Sequence, residues 1–139
     1  MNVYLDIDGV LLANDLNAAN HVHEFLEQVN KKADAVYWLT THCQGDSNTA
    51  YKRLSLVFKP ETLALIKDYK PTSWDTAKTR AIDFSVPFLW FDDDLFYEEK
   101  ETLIAHGVLD NWIEVDLMKN PNILSYYVTS FPLPVNALS

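Results

Sequence analysis

Cysteine is almost missing: Cys43 stands alone, so no disulfide can close within the chain and no thiolate-rich zinc site can be assembled. A reducing, cytoplasmic setting is the expectation. Glycine is scarce too. Gly9, Gly45 and Gly107 lie too far apart for the G-x-G-x-x-G turn or the Walker A loop, which excludes dinucleotide and P-loop nucleotide binding. Positive charge is short, with eleven basic residues against twenty acidic ones. The net charge of −9 repels polyanions and disfavours non-specific binding to nucleic acid or an anionic membrane. No apolar run approaches the roughly 20 residues of a membrane span, and the N-terminus lacks a basic stretch leading into an apolar one. What is present is 139 residues, 48% hydrophobic and 13% aromatic, enough for one domain over 1–139 around a single core.

Apolar runs and amphipathic stretches alternate along the chain. Val3–Leu5 reads as a buried strand that stops at Asp6-Ile7-Asp8-Gly9. Val22, Phe25, Leu26 and Val29 follow helical spacing and predict an amphipathic helix over His21–Lys32. Ala35–Leu39 is a second strand, entering Thr40-Thr41-His42. Helices are expected around Ser47–Phe58 and Glu61–Tyr69, with a third strand somewhere in that region that has no clear position. Thr72 with Asp75 resembles a capping box opening a helix through Ile82. Phe88–Phe91 is an apolar strand ending in Asp92-Asp93-Asp94. Leu95–His106 reads as a helix stopped by Gly107, Trp112–Val115 as a last strand and Asn122–Phe131 as a last helix. Such alternation implies an α/β, Rossmann-like fold: a mostly parallel sheet with helices on both faces.

Ligands of parallel sheets bind beyond the carboxyl ends of the strands. Three strands here end in polar clusters, Asp6/Asp8, Thr40/Thr41 and Asp92/Asp93/Asp94, which the topology brings to one edge. Several carboxylates at short range must take up protons or hold a cation, and an all-oxygen set suits Mg²⁺. With a phosphoryl oxygen on that ion, one carboxylate is free to attack phosphorus, while hydroxyls and a lysine neutralise the developing charge.

These residues resemble the haloacid dehalogenase (HAD) superfamily over about Met1 to Glu114. Asp6-Ile7-Asp8-Gly9-Val10 matches the family's strand followed by D-x-D-x-[TV], and Thr40 closes the hydrophobic Val36-Tyr37-Trp38-Leu39. A helical lysine and then a strand ending in the acidic pair Asp92-Asp93 complete the order. The resemblance implies a phosphatase with Asp6 as nucleophile. Asp8 would be the general acid and base, its main-chain carbonyl also binding the metal. Thr40, with Thr41, would bind the phosphoryl group. Asp6, Asp8, Asp92 and Asp93 would surround Mg²⁺, with Asp94 a weaker candidate. Lys78 is the favoured lysine because it sits in the helix expected ahead of the acidic strand; Lys70, just before Pro71, is the alternative. An acid at position 8 favours phosphoryl transfer over C–halogen cleavage.

The intervals from Asp8 to Thr40 and from Thr41 to Lys78 are too short for a folded lid, which implies a capless member with an open site, acting on a phosphorylated small molecule or macromolecule. The strong net negative charge points away from nucleic acid. Two non-catalytic alternatives remain, an inactive HAD-like binding module and a phosphoacceptor like the response-regulator receivers. Receivers place the phosphorylated aspartate differently in the order of acids, Thr and Lys.

Other motifs fail. The tyrosine-phosphatase signature would need arginine where this chain has Thr49 after His42-Cys43, and Gly45-Asp46-Ser47 lacks the partner dyad of a serine esterase. His42 is then a loop residue and Cys43 a small core or near-site residue. His21 and His23 cannot share a helix face. Trp38, Trp90 and Trp112 are expected in core packing, and Trp74 near the edge of the site.

Overall fold

The computed structural model describes residues 1–41 and 44–135, so the expectations for His42 and Cys43 fall outside it. The elements are β1 (Asn2–Leu5), α1 (Val22–Lys32), β2 (Ala35–Trp38), α2 (Ser47–Ser55), α3 (Pro60–Ile66), β3 (Phe88–Asp92), α4 (Tyr97–Ala105), β4 (Trp112–Glu114) and α5 (Ile123–Thr129), with 3₁₀ turns at Lys78–Ala81 and Leu109–Asn111. The four strands form a wholly parallel sheet in the order β2-β1-β3-β4. The chain is therefore α/β, as the alternation of strand and helix patterns requires.

Strand alternation divides the core in two. Val3, Leu5, Trp38, Leu89 and Phe91 face α1, α2, α3 and α5, where Phe25, Leu26, Leu54, Ile66 and Leu124 meet them. Tyr4, Leu39, Phe88 and Trp90 face the other way, onto Ile82, Leu103 of α4 and Val108. With β1 and β4 beside it and helices over both faces, all five residues of β3 are buried, which is why its sequence is a continuous apolar run rather than an alternating one.

Between Asp8 and Thr40 the chain forms only a loop, α1 and β2. Among the described residues, the stretch from Thr41 to Lys78 holds α2 and α3, whose buried side chains join the same core as α1. No separately folded lid occurs among the described residues.

One expected helix is absent. Residues 71–77 are irregular, and only Lys78–Ala81 makes a 3₁₀ turn. Thr72 does not cap a helix. Its hydroxyl donates to the Trp38 carbonyl, pinning the segment to β2, and Thr76 has a positive φ of 63° that breaks any regular turn. The elusive third strand is reduced to a single bridge: Lys70 pairs in parallel with Tyr37, its N–H bonding Val36 and its carbonyl Trp38.

Candidate active site

β1 has β2 on one side and β3 on the other, so the order of strands reverses between β1 and β3. That is the switch point where an open parallel sheet leaves a crevice at its carboxyl edge. Leu5 pairs with Phe91, and the ladder continues one step as the Asp6 N–H bonds the Phe91 carbonyl at 3.1 Å. Asp6 and Asp92 are thereby placed side by side over the crevice. Both leave their strands on the face carrying Tyr4 and Trp90, toward the turn that carries Lys78.

Asp6 is 8% exposed and Asp92 1%. The Lys78 ammonium lies 2.7 Å from Asp92 Oδ2 and 3.5 Å from Asp6 Oδ2. Asp92 Oδ2 also accepts the Trp90 indole N–H at 3.0 Å, and its Oδ1 accepts the Asp93 amide at 2.8 Å. Asp6 Oδ1 accepts the Ile7 amide at 2.8 Å, and the Asp6 carboxylate is hydrogen-bonded by Thr40, itself buried. Oxygens of Asp6, Asp92 and Asp93 all lie within 4.8 Å of one another.

Three carboxylates face one ammonium, and the protonation equilibria reflect that imbalance. Burial, reinforced by the Asp6 carboxylate, pushes Asp92 up to about 7 against the opposing pull of Lys78. Burial and neighbouring Asp92 push Asp93 up to about 6. Asp6 is raised by burial as well, with Lys78 resisting. Burial alone would lower the Lys78 ammonium, but Asp6 and Asp92 outweigh it and hold it above its ordinary value.

The structure thus gathers Asp6, Thr40, Lys78, Asp92 and Asp93, residues far apart in sequence. Lys70 is elsewhere, at the outer edge of β2 with its ammonium 5.8 Å from the centre of the Tyr37 ring. The Asp8 side chain, half-exposed, is outside the three-acid cluster and is ion-paired at 3.4 Å with Arg53 of α2. Thr41 is exposed. Asp94 turns its carboxylate to the Leu95 amide at 2.8 Å and, with Asp93 and Trp112, borders an open cavity of about 500 Å³ beside the acids.

Gly9 is required here for two reasons. Its φ of +81° suits glycine, and a Cβ at this position would stand 2.3 Å from Asp93 Oδ2. Gly9→Ala is expected to displace Asp93 and cost about 1–3 kcal/mol. Thermal denaturation checks this; an unchanged Tm would show that the loop relaxes freely.

No protein-family model matches the chain, and no solved structure matches it. A nitric oxide synthase of Anopheles stephensi is 34% identical over 67 residues, a match covering 43% of this chain and 5% of that protein. The chain therefore spans about one-twentieth of the length of the curated relative it matches, and so partial a similarity establishes no family.

Three contributors to the site escaped sequence reasoning. Trp90 serves Asp92 as well as the core, and its position two residues earlier on the same strand face was a usable signal. Glu99, 3% exposed, accepts the backbone N–H of Lys78 at 3.0 Å and of Phe96 at 3.1 Å, tying the 3₁₀ turn to the start of α4. Arg53 had no signal beyond its charge, because the spacing from Asp8 to α2 does not say which helix residue faces the loop.

Proposed function

We propose that this chain is a Mg²⁺-dependent phosphomonoester hydrolase that forms an aspartyl-phosphate on Asp6, as the resemblance to the HAD superfamily implies. The observation that carries the reading is the meeting of Asp6, Asp92 and Asp93 around a shared space, with Lys78 reaching two of them, at the switch point of a parallel sheet. The donor set is all oxygen and carries more negative than positive charge, which fits a hard divalent cation. Asp6, Asp92 and Asp93 would hold Mg²⁺ with their side chains, and Asp8 through its main-chain carbonyl. When bound, the ion supplies charge neutralisation for the phosphoryl oxygens.

An Asp6 carboxylate oxygen attacks phosphorus as the ester P–O bond breaks, and the departing oxygen takes the Asp8 proton. Water then gives a proton to Asp8 and attacks phosphorus; the P–O bond to Asp6 breaks, inorganic phosphate leaves, and both acids are restored. Thr40, with Thr41 at the rim, binds the phosphoryl oxygens, and the Lys78 ammonium stabilises charge on the transferring group.

Purified protein with p-nitrophenyl phosphate and Mg²⁺ is expected to release nitrophenol, to stop on addition of EDTA and to resume with excess Mg²⁺. Turnover indifferent to EDTA, or none with any divalent cation, overturns the reading. Stable phosphorylation without turnover would instead identify a phosphoacceptor.

A further inference from the structure

From the two hydrogen bonds of Glu99 we infer that it is a positioning residue for phosphoryl transfer, fixing from behind the place where the Lys78 ammonium meets Asp6 and Asp92. This rests on the hydrolase reading above. Lys78 needs such a restraint. Residues 71–77 ahead of it are irregular, and its own segment is a single four-residue 3₁₀ turn. A lysine stem is long and flexible, so the place of its ammonium depends on where its backbone is held. Glu99 Oε2 accepts the Lys78 N–H at 3.0 Å from 21 residues further along the chain. α4 can serve as the anchor, since Leu103, one turn beyond Glu99, is fully buried with Tyr4, Ile82 and Trp90 against the sheet.

A helix cap alone does not account for Glu99. From the third position of α4 its Oε1 reaches back to the Phe96 N–H at 3.1 Å, and that bond is the cap. Capping occupies one oxygen and does not require burial. Here the residue is 3% exposed, and the second oxygen is turned to the 3₁₀ turn. Withdrawing a carboxylate from water is unfavourable unless its oxygens are partnered, and both partners are backbone amides of segments that carry site residues. Phe96 closes the loop that opens with Asp92 and Asp93, and Lys78 brings the cation to them. One buried carboxylate thereby ties the lysine to the acids it serves.

Glu99→Met tests this, because methionine matches the side chain in length and removes both acceptors. In the full chain, with saturating Mg²⁺ and p-nitrophenyl phosphate, it is expected to lower kcat/KM by roughly tenfold or more, as a misplacement of about 1 Å does. The loss disappears in the Lys78→Met background, where no ammonium is left to place. Glu99→Gln keeps one acceptor for two donors and falls between. Glu98→Gln, which removes the same charge from the first turn of α4, leaves kcat/KM within about twofold. A second readout needs no turnover. On labelling with acetic anhydride, followed by mass spectrometry, Lys78, whose side chain is 16% exposed, reacts several-fold faster in Glu99→Met than in the parent. Lys31 of α1, already exposed, reacts alike in both.

A lowered Tm with kcat/KM and Lys78 labelling unchanged overturns the inference, leaving Glu99 a helix cap. An equal loss in the Lys78→Met background, or in Glu98→Gln, also overturns it. Should Glu99→Met not fold, Glu99→Gln decides by the same two readouts. If the unaltered protein does not hydrolyse the ester, the hydrolase reading itself has failed and the role of Glu99 in it falls too. That result is distinguishable because it involves no variant.

Discussion

Asp6→Asn is expected to abolish turnover, by about a thousandfold or more, while making the metal-free protein more stable. The two effects have one origin. Asp6 is held beside Asp92 and Asp93, and with only the Lys78 ammonium against them the three acids form a cluster of like charges, of which Asp6 and Asp92 are buried and Asp93 is exposed. An amide retains the acceptor for the Ile7 N–H and gives up the distant Lys78 contact, at 3.5 Å. Its NH₂ can then donate toward Asp92 in place of a repelling carboxylate. The gain is about 1–2 kcal/mol at pH 8, read from urea denaturation. On the proposed mechanism the same substitution removes the nucleophile, so no phosphoprotein should be trapped on acid quenching. Retained turnover would remove Asp6 from the nucleophile's place. Lost turnover without any stabilisation would show that the carboxylates are not in conflict.

Lys78→Met should have the opposite effect on stability, and the larger one. The ammonium is the cation joining Asp6 and Asp92, and removing one member of a buried ionic group costs about 3–5 kcal/mol because the remaining charge is uncompensated. The cost depends on pH in a direction fixed by the carboxyls. Asp92 at about 7 and Asp93 at about 6 both lie above the ordinary value of 3.8, so the native state retains protons that the unfolded chain releases. Stability of the metal-free protein therefore falls as pH rises from about 4 to about 7. Without Lys78 the Asp92 carboxyl is raised further, and the fall extends to higher pH. Denaturation at pH 5 should show a small difference between variant and parent, and at pH 8 a large one. On the proposed reading, added Mg²⁺ should stabilise the parent more at pH 8 than at pH 5, since the cation would compete with protons for the same oxygens. A difference independent of pH would mean that Lys78 contributes by packing alone.

Much of the fold was legible because the core imposes simple periods. Phe25, Leu26 and Val29 announce α1 through their spacing, and the apolar run Phe88–Phe91 announces a strand buried on both faces. The failures occurred where a local signal was overridden by a distant partner. Thr72 and Asp75 have the spacing of a helix start, yet Thr72 donates to a carbonyl of β2. Lys70 lies in a segment with no strand pattern and still makes one ladder pair with Tyr37, because a single bridge leaves no periodic trace.

By itself the sequence determined the chemical stock of this protein: an excess of acid, a single thiol, strands that end in carboxylates and hydroxyls, and a lysine ahead of the last acidic cluster. Only the tertiary structure decided which of these meet. Register sets Asp6 beside Asp92, the reversal of strand order between β1 and β3 opens the crevice, and the turn tied down by Glu99 brings Lys78 rather than Lys70 to the acids. The physical reason is range. Periodicity and capping act over a few residues and can be read along the chain, whereas charge neutralisation in a crevice depends on distances of a few ångströms between groups brought together only by packing.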